Sequence, residues 1–377
     1  MRPVNVLRVV IGLNQGGVQQ GVLNLFRGLD RERFRPIACA LENDGAIGRE
    51  IAAAGFEVIV LGHRGKGWGI RIVRDLVRLI REREIQIVHG SSYHPSLYAR
   101  VAGLLGRAPI LISHEHAVFQ RRRRRRCILS HIVGRATDAH IAVSHAVRDQ
   151  VLAWYGLDPR RVRVVHNGVD VERFLPGISR EEAKRRLGLP PDTFTVVTTS
   201  RLDPENGHRF LFEAMGPLLP GRKLCLVLVG TGRGEAEVRA AAERSGVASV
   251  ATFTGLRRDI PDLLAAADVY VAPMLQTGFS NAVLEAMAMA CPMVVTDVGG
   301  TREAVTHDRE GLVVPPADAA LLRAALVRLL DDAALRERLG SAAREAVLAR
   351  FTTAHFVAGV QGLYEELMSR TPGVPSA

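Results

Sequence analysis

Residues 277–285, Thr-Gly-Phe-Ser-Asn-Ala-Val-Leu-Glu, hold the spacing best suited to chemistry in this chain. They follow an apolar, strand-like run, Asp268-Val-Tyr-Val-Ala-Pro273, and their second half has helical character. A strand that ends in a Gly-containing turn and feeds a helix offers an anion two things: the first backbone N–H groups and the positive end of the helix dipole. Glu285 lies four residues after Asn281, one turn along the same helix face. A carboxylate beside an anion site neutralises nothing, so its natural partners are sugar or ribose hydroxyls. Together the two features describe a seat for a nucleotide sugar.

Ser113-His114-Glu115-His116 ends another strand-like run. Alternation along a strand puts His114 and His116 on one face. The pair could meet a substrate, hydrogen-bond within the core or ligate a metal, although no third ligand stands nearby in the sequence. His94, in Ser91-Ser-Tyr-His-Pro95, has the same open choice between a substrate role and a satisfied core position. A third group is basic: Arg121, Arg122, Arg123, Arg124, Arg125 and Arg126 stand in a row before Cys127-Ile-Leu-Ser-His-Ile-Val133. Charge runs are commonly solvated helix faces. A basic cluster beside an apolar strip also suits an anionic membrane surface, where each Arg contributes on the order of 1 kcal/mol. The formal net charge of +11 favours anionic partners in general. Nucleic acid is not expected among them, because no recognition helix, zinc finger or RNP-type aromatic pattern is present.

A chain of 377 residues exceeds the size at which one core keeps growing, so two domains are expected. The first half alternates strands at 6–12, 36–41, 57–61, 85–88, 109–112, 139–143 and 162–165 with helices at 17–29, 47–54, 70–83, 95–105 and 146–154. Such alternation argues for βαβ crossovers and a parallel sheet covered on both faces. The pattern breaks over residues 174–180, where Pro176 and Gly177 sit in a polar stretch and mark a linker. A second series follows, with strands at 195–199, 224–230, 250–253, 269–272, 293–296 and 312–314. Its helices fall at 208–215, 235–245, 260–267, 281–290 and 319–331, and residues 333–350 and 353–369 are helical to the end. The expected domains are 1–175, 176–352 and a C-terminal helix and tail, 353–377, that packs back toward the first domain. No apolar stretch approaches the ~20 residues of a membrane-spanning helix. The start, MRPVNVLRVVIG, reads as a first core strand and not a signal peptide. Cys39, Cys127, Cys225 and Cys291 lack metal-ligand spacing and fit reduced, buried thiols of a cytoplasmic protein.

Read in order, Gly16-Gly17, His166-Asn-Gly-Val-Asp170, Ser200-Arg201-Leu202, Gly230-Thr-Gly232, Phe253-Thr-Gly255, the 277–285 motif and Gly299-Gly-Thr301 resemble retaining GT-B glycosyltransferases. More narrowly, they are similar to glycosyltransferase family 4, the glycosyl transferases group 1 type. The resemblance implies an α/β protein of two doubly wound Rossmann-like domains facing across a cleft. It implies a nucleotide-diphosphate sugar, UDP- or GDP-linked, held mainly by the C-terminal domain, and an acceptor held mainly by the N-terminal one. The donor set it implies is Gly16, Gly17, Arg201, Asn206, Gly230, Leu256, Gly278, Phe279, Ser280, Asn281 and Glu285. In that set Glu285 takes the ribose hydroxyls, the backbone at 279–281 takes the diphosphate and Arg201 pairs with its charge. His116, Arg201 and Thr277 are the catalytic candidates. His116 is favoured over His114 as the sugar-facing imidazole because a small residue, Ala117, follows it. His94 and His114 remain acceptor-side candidates.

Chemistry of this kind needs no cofactor and, as GT-B enzymes generally run, no metal; neither is expected here. The acceptor is expected to be lipid-linked or a cell-surface glycan, with the arginine row resting on the inner face of a membrane. Two departures from the family pattern bear on activity. Asn206-Gly207 stands where a Lys-Gly pair is usual, and Thr277 stands where the motif's first glutamate is usual. They keep open a catalytically weak nucleotide-sugar-binding protein, and a GT-B nucleotide-sugar 2-epimerase is the rival enzyme of the same fold.

Overall fold

Apolar runs and amphipathic segments become two parallel sheets in a computed structural model that describes residues 2–63, 69–175 and 177–374. The first sheet contains β1 (Val4–Val10), β2 (Phe34–Ala40), β3 (Glu57–Val60), β4 (Ile87–Ser91), β5 (Ile110–Glu115), β6 (Ala139–Ala142) and β7 (Val162–Val164). Helices α1 (Gly17–Gly28), α2 (Gly45–Ala53), α3 (Gly69–Glu82), α4 (Tyr93–Gly106), α5 (Arg124–Arg135) and α6 (His145–Tyr155) alternate with them. The strand order β3-β2-β1-β4-β5-β6-β7 reverses direction of growth between β1 and β4.

The second sheet contains β8 (Phe194–Thr199), β9 (Leu224–Val229), β10 (Ala251–Phe253), β11 (Val269–Ala272), β12 (Met293–Thr296) and β13 (Leu312–Val314), in the order β10-β9-β8-β11-β12-β13. Around it lie α7 (Arg180–Arg186), α8 (His208–Met215), α9 (Glu235–Arg244), α10 (Ile260–Ala265), α11 (Asn281–Ala288), α12 (Thr301–Ala304), α13 (Ala319–Asp331) and α14 (Ala333–Arg350). A last helix, α15 (Thr353–Arg370), follows. In both sheets the switch point, between β1 and β4 and between β8 and β11, is where α/β proteins of this class place ligands beyond the strands' carboxyl ends.

The residues explain the architecture. β9 reads Leu-Cys-Leu-Val-Leu-Val and is buried throughout, as a strand covered on both faces must be. α3 turns Ile72, Leu76, Leu79 and Ile80 inward and leaves Arg71, Arg74, Arg78 and Arg81 outside, a stripe at helical period. Contacts divide the chain into Met1–Gly168 with Thr353–Ala377, and Val169–Thr352. α15 thus belongs to the first unit, where Phe356, Val360, Leu363 and Tyr364 share a core with Leu23 and Phe26 of α1 and Phe34 of β2. The polar stretch 174–180 lies inside the second unit. Phe174 is buried there and its carbonyl accepts from Arg344 at 3.4 Å, while Pro176 lies outside the described residues.

Three helices arise where the periodicity predicts none. α7 is one: the Ser179 hydroxyl accepts from the Glu182 N–H and caps it, and acidic residues occupy its first turn. Its Lys184 is buried and donates to Asp268 Oδ2 and to the Thr193 carbonyl, both at 2.7 Å, which ties α7 to the entry of β8 and β11. The others are α5 and the single turn α12. The four cysteines are unpaired and buried. No described helix is long and apolar enough to cross a membrane.

Candidate active site

In the second unit the candidate residues leave the carboxyl ends of β8, β9, β10 and β11 in four loops that grip one another. Gly230, just past β9, has φ 136° and lies so near the Ser200 carbonyl that a Cβ would collide with it. Its N–H donates to the Gly255 carbonyl at 2.9 Å, and the Leu202 N–H donates to the Thr231 carbonyl at 3.1 Å. The Leu275 N–H donates to the Glu205 carbonyl at 2.8 Å, which joins the β8 loop to the β11 loop. Gly299, at φ 52°, takes the same kind of close approach from the Thr277 carbonyl, and the Gly300 N–H donates to the Gly278 carbonyl at 3.0 Å. Arg201, Asn206, Gly230, Gly278 and Ser280 therefore belong to one braced rim.

α11 starts sharply because Ser280 caps it, its hydroxyl accepting from the Val283 N–H at 3.4 Å. Asn281 opens the helix and Glu285 sits one turn along. The Phe279 ring is turned into the core, 5.3 Å from the Phe351 ring, so this residue offers a ligand only its backbone. Burial pushes the Glu285 carboxyl up to about 7, with Arg173 opposing the shift. A carboxyl in that state gains from hydroxyl donors such as those of a ribose.

Arg201 is exposed and pairs with Asp203 at 2.9 Å; Asp203 also accepts from the Arg233 N–H at 3.0 Å. The Asn206 side chain donates to the Arg201 carbonyl at 2.8 Å. Asn206 thereby shapes the loop that carries Arg201. Beside it, Ser200 Oγ meets His208 Nε2 at 3.0 Å, and burial pushes that imidazole down to about 4 against the pull of Asp203. Leu256 is open to solvent after β10, and Thr277 is half-buried.

In the first unit, Gly16 and Gly17 form an exposed entry to α1, and Gln19 Nε2 donates to the Gly12 carbonyl at 3.0 Å to close the loop behind them. His116 follows β5. Its ring stacks on that of His114 at 4.1 Å with planes 21° apart. Burial, and then the charge of Arg8, push the His116 imidazole down to about 3. His114 is fully buried, with Nδ1 3.1 Å from Arg8 Nη2 and its ring packed against that of His116. His94 is exposed in the first turn of α4, its ring 4.8 Å from Tyr93.

The arginine row divides. Arg121, Arg122, Arg123, Arg124 and Arg125 are exposed, and Ile128, Leu129 and Ile132 lie open on the α5 that follows. Arg126 does not join that surface. Its guanidinium lies 3.5 Å from the centre of the Phe119 ring and 4.1 Å from that of Tyr93, and Nε donates to the Tyr155 hydroxyl at 2.8 Å. Cation–π contact on two rings removes it from the membrane-facing set. The sequence reading also missed Arg8, His89 and Tyr364. A single arginine inside Val-Asn-Val-Leu-Arg-Val-Val was the signal available, because a charge within a buried strand needs a reason. No group of three His, Cys, Asp or Glu able to hold a metal is present among the described residues.

Comparison with known proteins sorts the two units. Residues 15–173 match the family model for Glycosyltransferase Family 4, and residues 193–332 match that for Glycosyl transferases group 1. A D-inositol 3-phosphate glycosyltransferase of Streptomyces bingchenggensis is 35% identical over 224 residues, 56% of this chain. The match spans about half, 49%, of that relative's length. A UDP-Gal:alpha-D-GlcNAc-diphosphoundecaprenol alpha-1,3-galactosyltransferase of Escherichia coli is 26% identical over 69% of this chain and 70% of its own. Among solved structures, Anabaena HepE in complex with UDP-glucose superposes with a TM-score of 0.86 at 20% identity, covering 96% of this chain and 99% of the other. That likeness establishes the fold, two Rossmann-like α/β units of the GT-B type. The family models take in the rim of the second unit and the imidazoles of the first, and the chain belongs to the glycosyl transferases group 1, family 4.

Proposed function

We propose that this chain is a retaining, metal-independent glycosyltransferase. It moves a hexosyl or related sugar from a UDP- or GDP-sugar to a hydroxyl of a lipid-linked or cell-surface glycan acceptor in polysaccharide biosynthesis. The observation that carries this reading is the Ser280-capped start of α11 with the half-buried Glu285 carboxyl one turn along, set in a rim of interlocked loops. The diphosphate sits at the helix start, and the ribose hydroxyls donate to Glu285. Arg201, freed from Asp203, swings onto the phosphate oxygens, for which its planar fork is suited.

The chemistry is one substitution. The bond from the anomeric carbon to the diphosphate oxygen breaks as the acceptor oxygen bonds to the same face of that carbon. The acceptor's proton passes to the departing phosphate oxygen. Charge that grows on the leaving group meets the helix dipole and Arg201, already in place, which is the largest expected contribution to rate. In this reading His116 serves the sugar as a hydrogen-bonding imidazole, and Thr277, three residues before the cap Ser280, hydrogen-bonds a sugar hydroxyl. The names of the relatives support the donor and acceptor classes: one uses UDP-Gal with a diphosphoundecaprenol-linked acceptor, one acts with D-inositol 3-phosphate. The exposed arginines before α5 and its open Ile128, Leu129 and Ile132 support a peripheral position on the cytoplasmic face of a membrane.

Thr277 keeps a second reading in play, a protein that binds the nucleotide sugar but turns it over slowly, since a hydroxyl stabilises a cationic sugar less than a carboxylate does. One experiment separates them. The protein is incubated with UDP-, GDP- and ADP-sugars and a polyprenyl-diphosphate-linked sugar, with and without EDTA, and the product's anomeric configuration is read by NMR. Transfer with retention, unaffected by EDTA, is the expected result. Binding without release of nucleotide diphosphate to any acceptor supports the second reading, and epimerisation of the donor without acceptor supports an epimerase.

A further inference from the structure

One cluster in the first unit has no obvious reason to exist. Arg8 is 1% exposed in the middle of β1. Its Nη2 meets His114 Nδ1 at 3.1 Å, while Nε and Nη1 have no partner among the described residues. Among the described residues no carboxylate pairs with it. Glu115, between the two histidines in sequence, points to the opposite face of the sheet, where the charges that act on it are Arg100 and Arg126. A guanidinium buried on a single neutral hydrogen bond weakens a fold, so stability does not explain it. Sites that break such rules are where function is found.

What Arg8 does is readable from its one bond. A guanidinium has only N–H groups to offer, so His114 Nδ1 must accept. His114 therefore carries its proton on Nε2 and is neutral; protonating Nδ1 would turn two donors against each other beside a fixed charge. On one side His114 stacks on His116 at 4.1 Å, on the other on His89 at 5.4 Å with planes 20° apart. The far end is anchored where His89 Nδ1 meets the Tyr364 hydroxyl of α15 at 2.6 Å, and the Phe356 ring lies 6.4 Å from that of His114. Arg8 from β1, His89 from β4 and Tyr364 from α15 are the charged or titratable groups facing the row. The one ionisable residue of α1, Arg27, is exposed. Among the described residues every neighbour is a cation or a neutral group, so a second positive charge in the row has nothing to offset it.

We propose that Arg8 is a positioning residue: through the His114 ring it sets the plane of His116 and keeps that imidazole uncharged, so that His116 meets the sugar as a hydrogen-bonding group and not as an acid. The role at the sugar rests on the functional reading above; the charge state does not. Burial lowers all three imidazoles, with Arg8 acting in the same direction. The proton for the leaving group must then come from the acceptor itself.

The test labels histidine with nitrogen-15 and records long-range proton–nitrogen spectra of the imidazoles from about pH 5 to 8. His116→Gln identifies the His116 signals. The expected result is a neutral His116 from about pH 5 to 8 in the wild type, an onset of protonation toward pH 5 in Arg8→Met, short of the free-imidazole value because burial remains, and a return to the wild-type state in Arg8→Lys. Arg8→Met should also lower kcat about threefold at pH 5, less at pH 8, with KM for the nucleotide sugar little changed. A wild-type His116 that titrates between pH 5.5 and 7.5 overturns the proposal, and this holds even if Arg8→Met does not fold. So does a charge state indifferent to Arg8. Spectra as expected with no turnover on any donor leave the proposal standing and remove the transferase reading instead.

Discussion

A carboxyl pushed up to about 7 becomes an acceptor at both oxygens only as it loses its proton, and Glu285 therefore has a pH signature. Its folded value lies above the ordinary 4.5, so the unliganded fold is most favoured below 4.5 and loses that contribution as pH rises to about 7. Nucleotide binding should run the other way, tightening from about pH 6 to 8 with release of a proton, which calorimetry in buffers of different ionisation enthalpy detects. Glu285→Gln should flatten that dependence and weaken UDP or GDP binding by about 1–3 kcal/mol, while making the free protein more heat-stable at pH 8. Arg201 gives the opposite pattern. It is exposed and held by one ion pair, so Arg201→Ala should leave the melting temperature nearly unchanged. Steady-state kinetics should show kcat/KM falling by about two orders of magnitude, with Arg201→Lys recovering part of it. Had the melting temperature collapsed instead, Arg201 would belong to the loop and not to the ligand.

At the level of single elements, α5 and α7 show what the residue pattern conceals. Six arginines in a row fit a solvated helix face or a membrane-facing cluster but do not say where a helix starts, and it begins inside them, at Arg124. Its apolar residues split between a buried side, with Cys127, and an open side, with Ile128, Leu129 and Ile132, so no single stripe signals a helix. That open side defines the next prediction. Replacing Arg121–Arg125 as a group with Gln should abolish salt-sensitive binding to vesicles containing phosphatidylglycerol, whereas Ile128, Leu129 and Ile132 changed to Ser should reduce binding that survives high salt. Equal retention of the wild type on neutral and anionic vesicles would remove the membrane reading. α7 was concealed by its polarity, since it is fixed by one buried ion pair and not by an apolar face. Asp268→Asn leaves Lys184 buried without its charge partner and should destabilise the second unit by about 3–5 kcal/mol in denaturant unfolding. Where the pattern was plain it sufficed: β11, β12, β13, α8, α13 and α14 lie where the alternation predicts them.

For the whole molecule, α/β alternation made both sheets legible, because parallel strands covered on two faces must be short, apolar and spaced by helices. The rim of the second unit was legible for the same reason, as its glycines and Ser280 sit at strand exits. The row of Arg8, His89, His114 and Tyr364 was not, because it joins β1, β4, β5 and α15, residues hundreds of positions apart with no local signature. Membership of α15 in the first unit carries a prediction of its own. A chain ending at Thr352 loses Tyr364, Phe356, Val360 and Leu363 from the first core. The remaining β1–β7 unit should bind hydrophobic dyes and exchange its β4 and β5 amides quickly, while the second unit keeps its protection.

Biosynthesis on the ribosome meets this arrangement in a fixed sequence. Seven strands leave the exit tunnel early, then an entire second unit, and only afterwards the helix that seals one face of the first. For that interval a greasy, half-finished surface stays uncovered, a natural client for holdase chaperones. The imidazole row acquires its dry surroundings in the same step, so it is complete only once α15 has been made and packed.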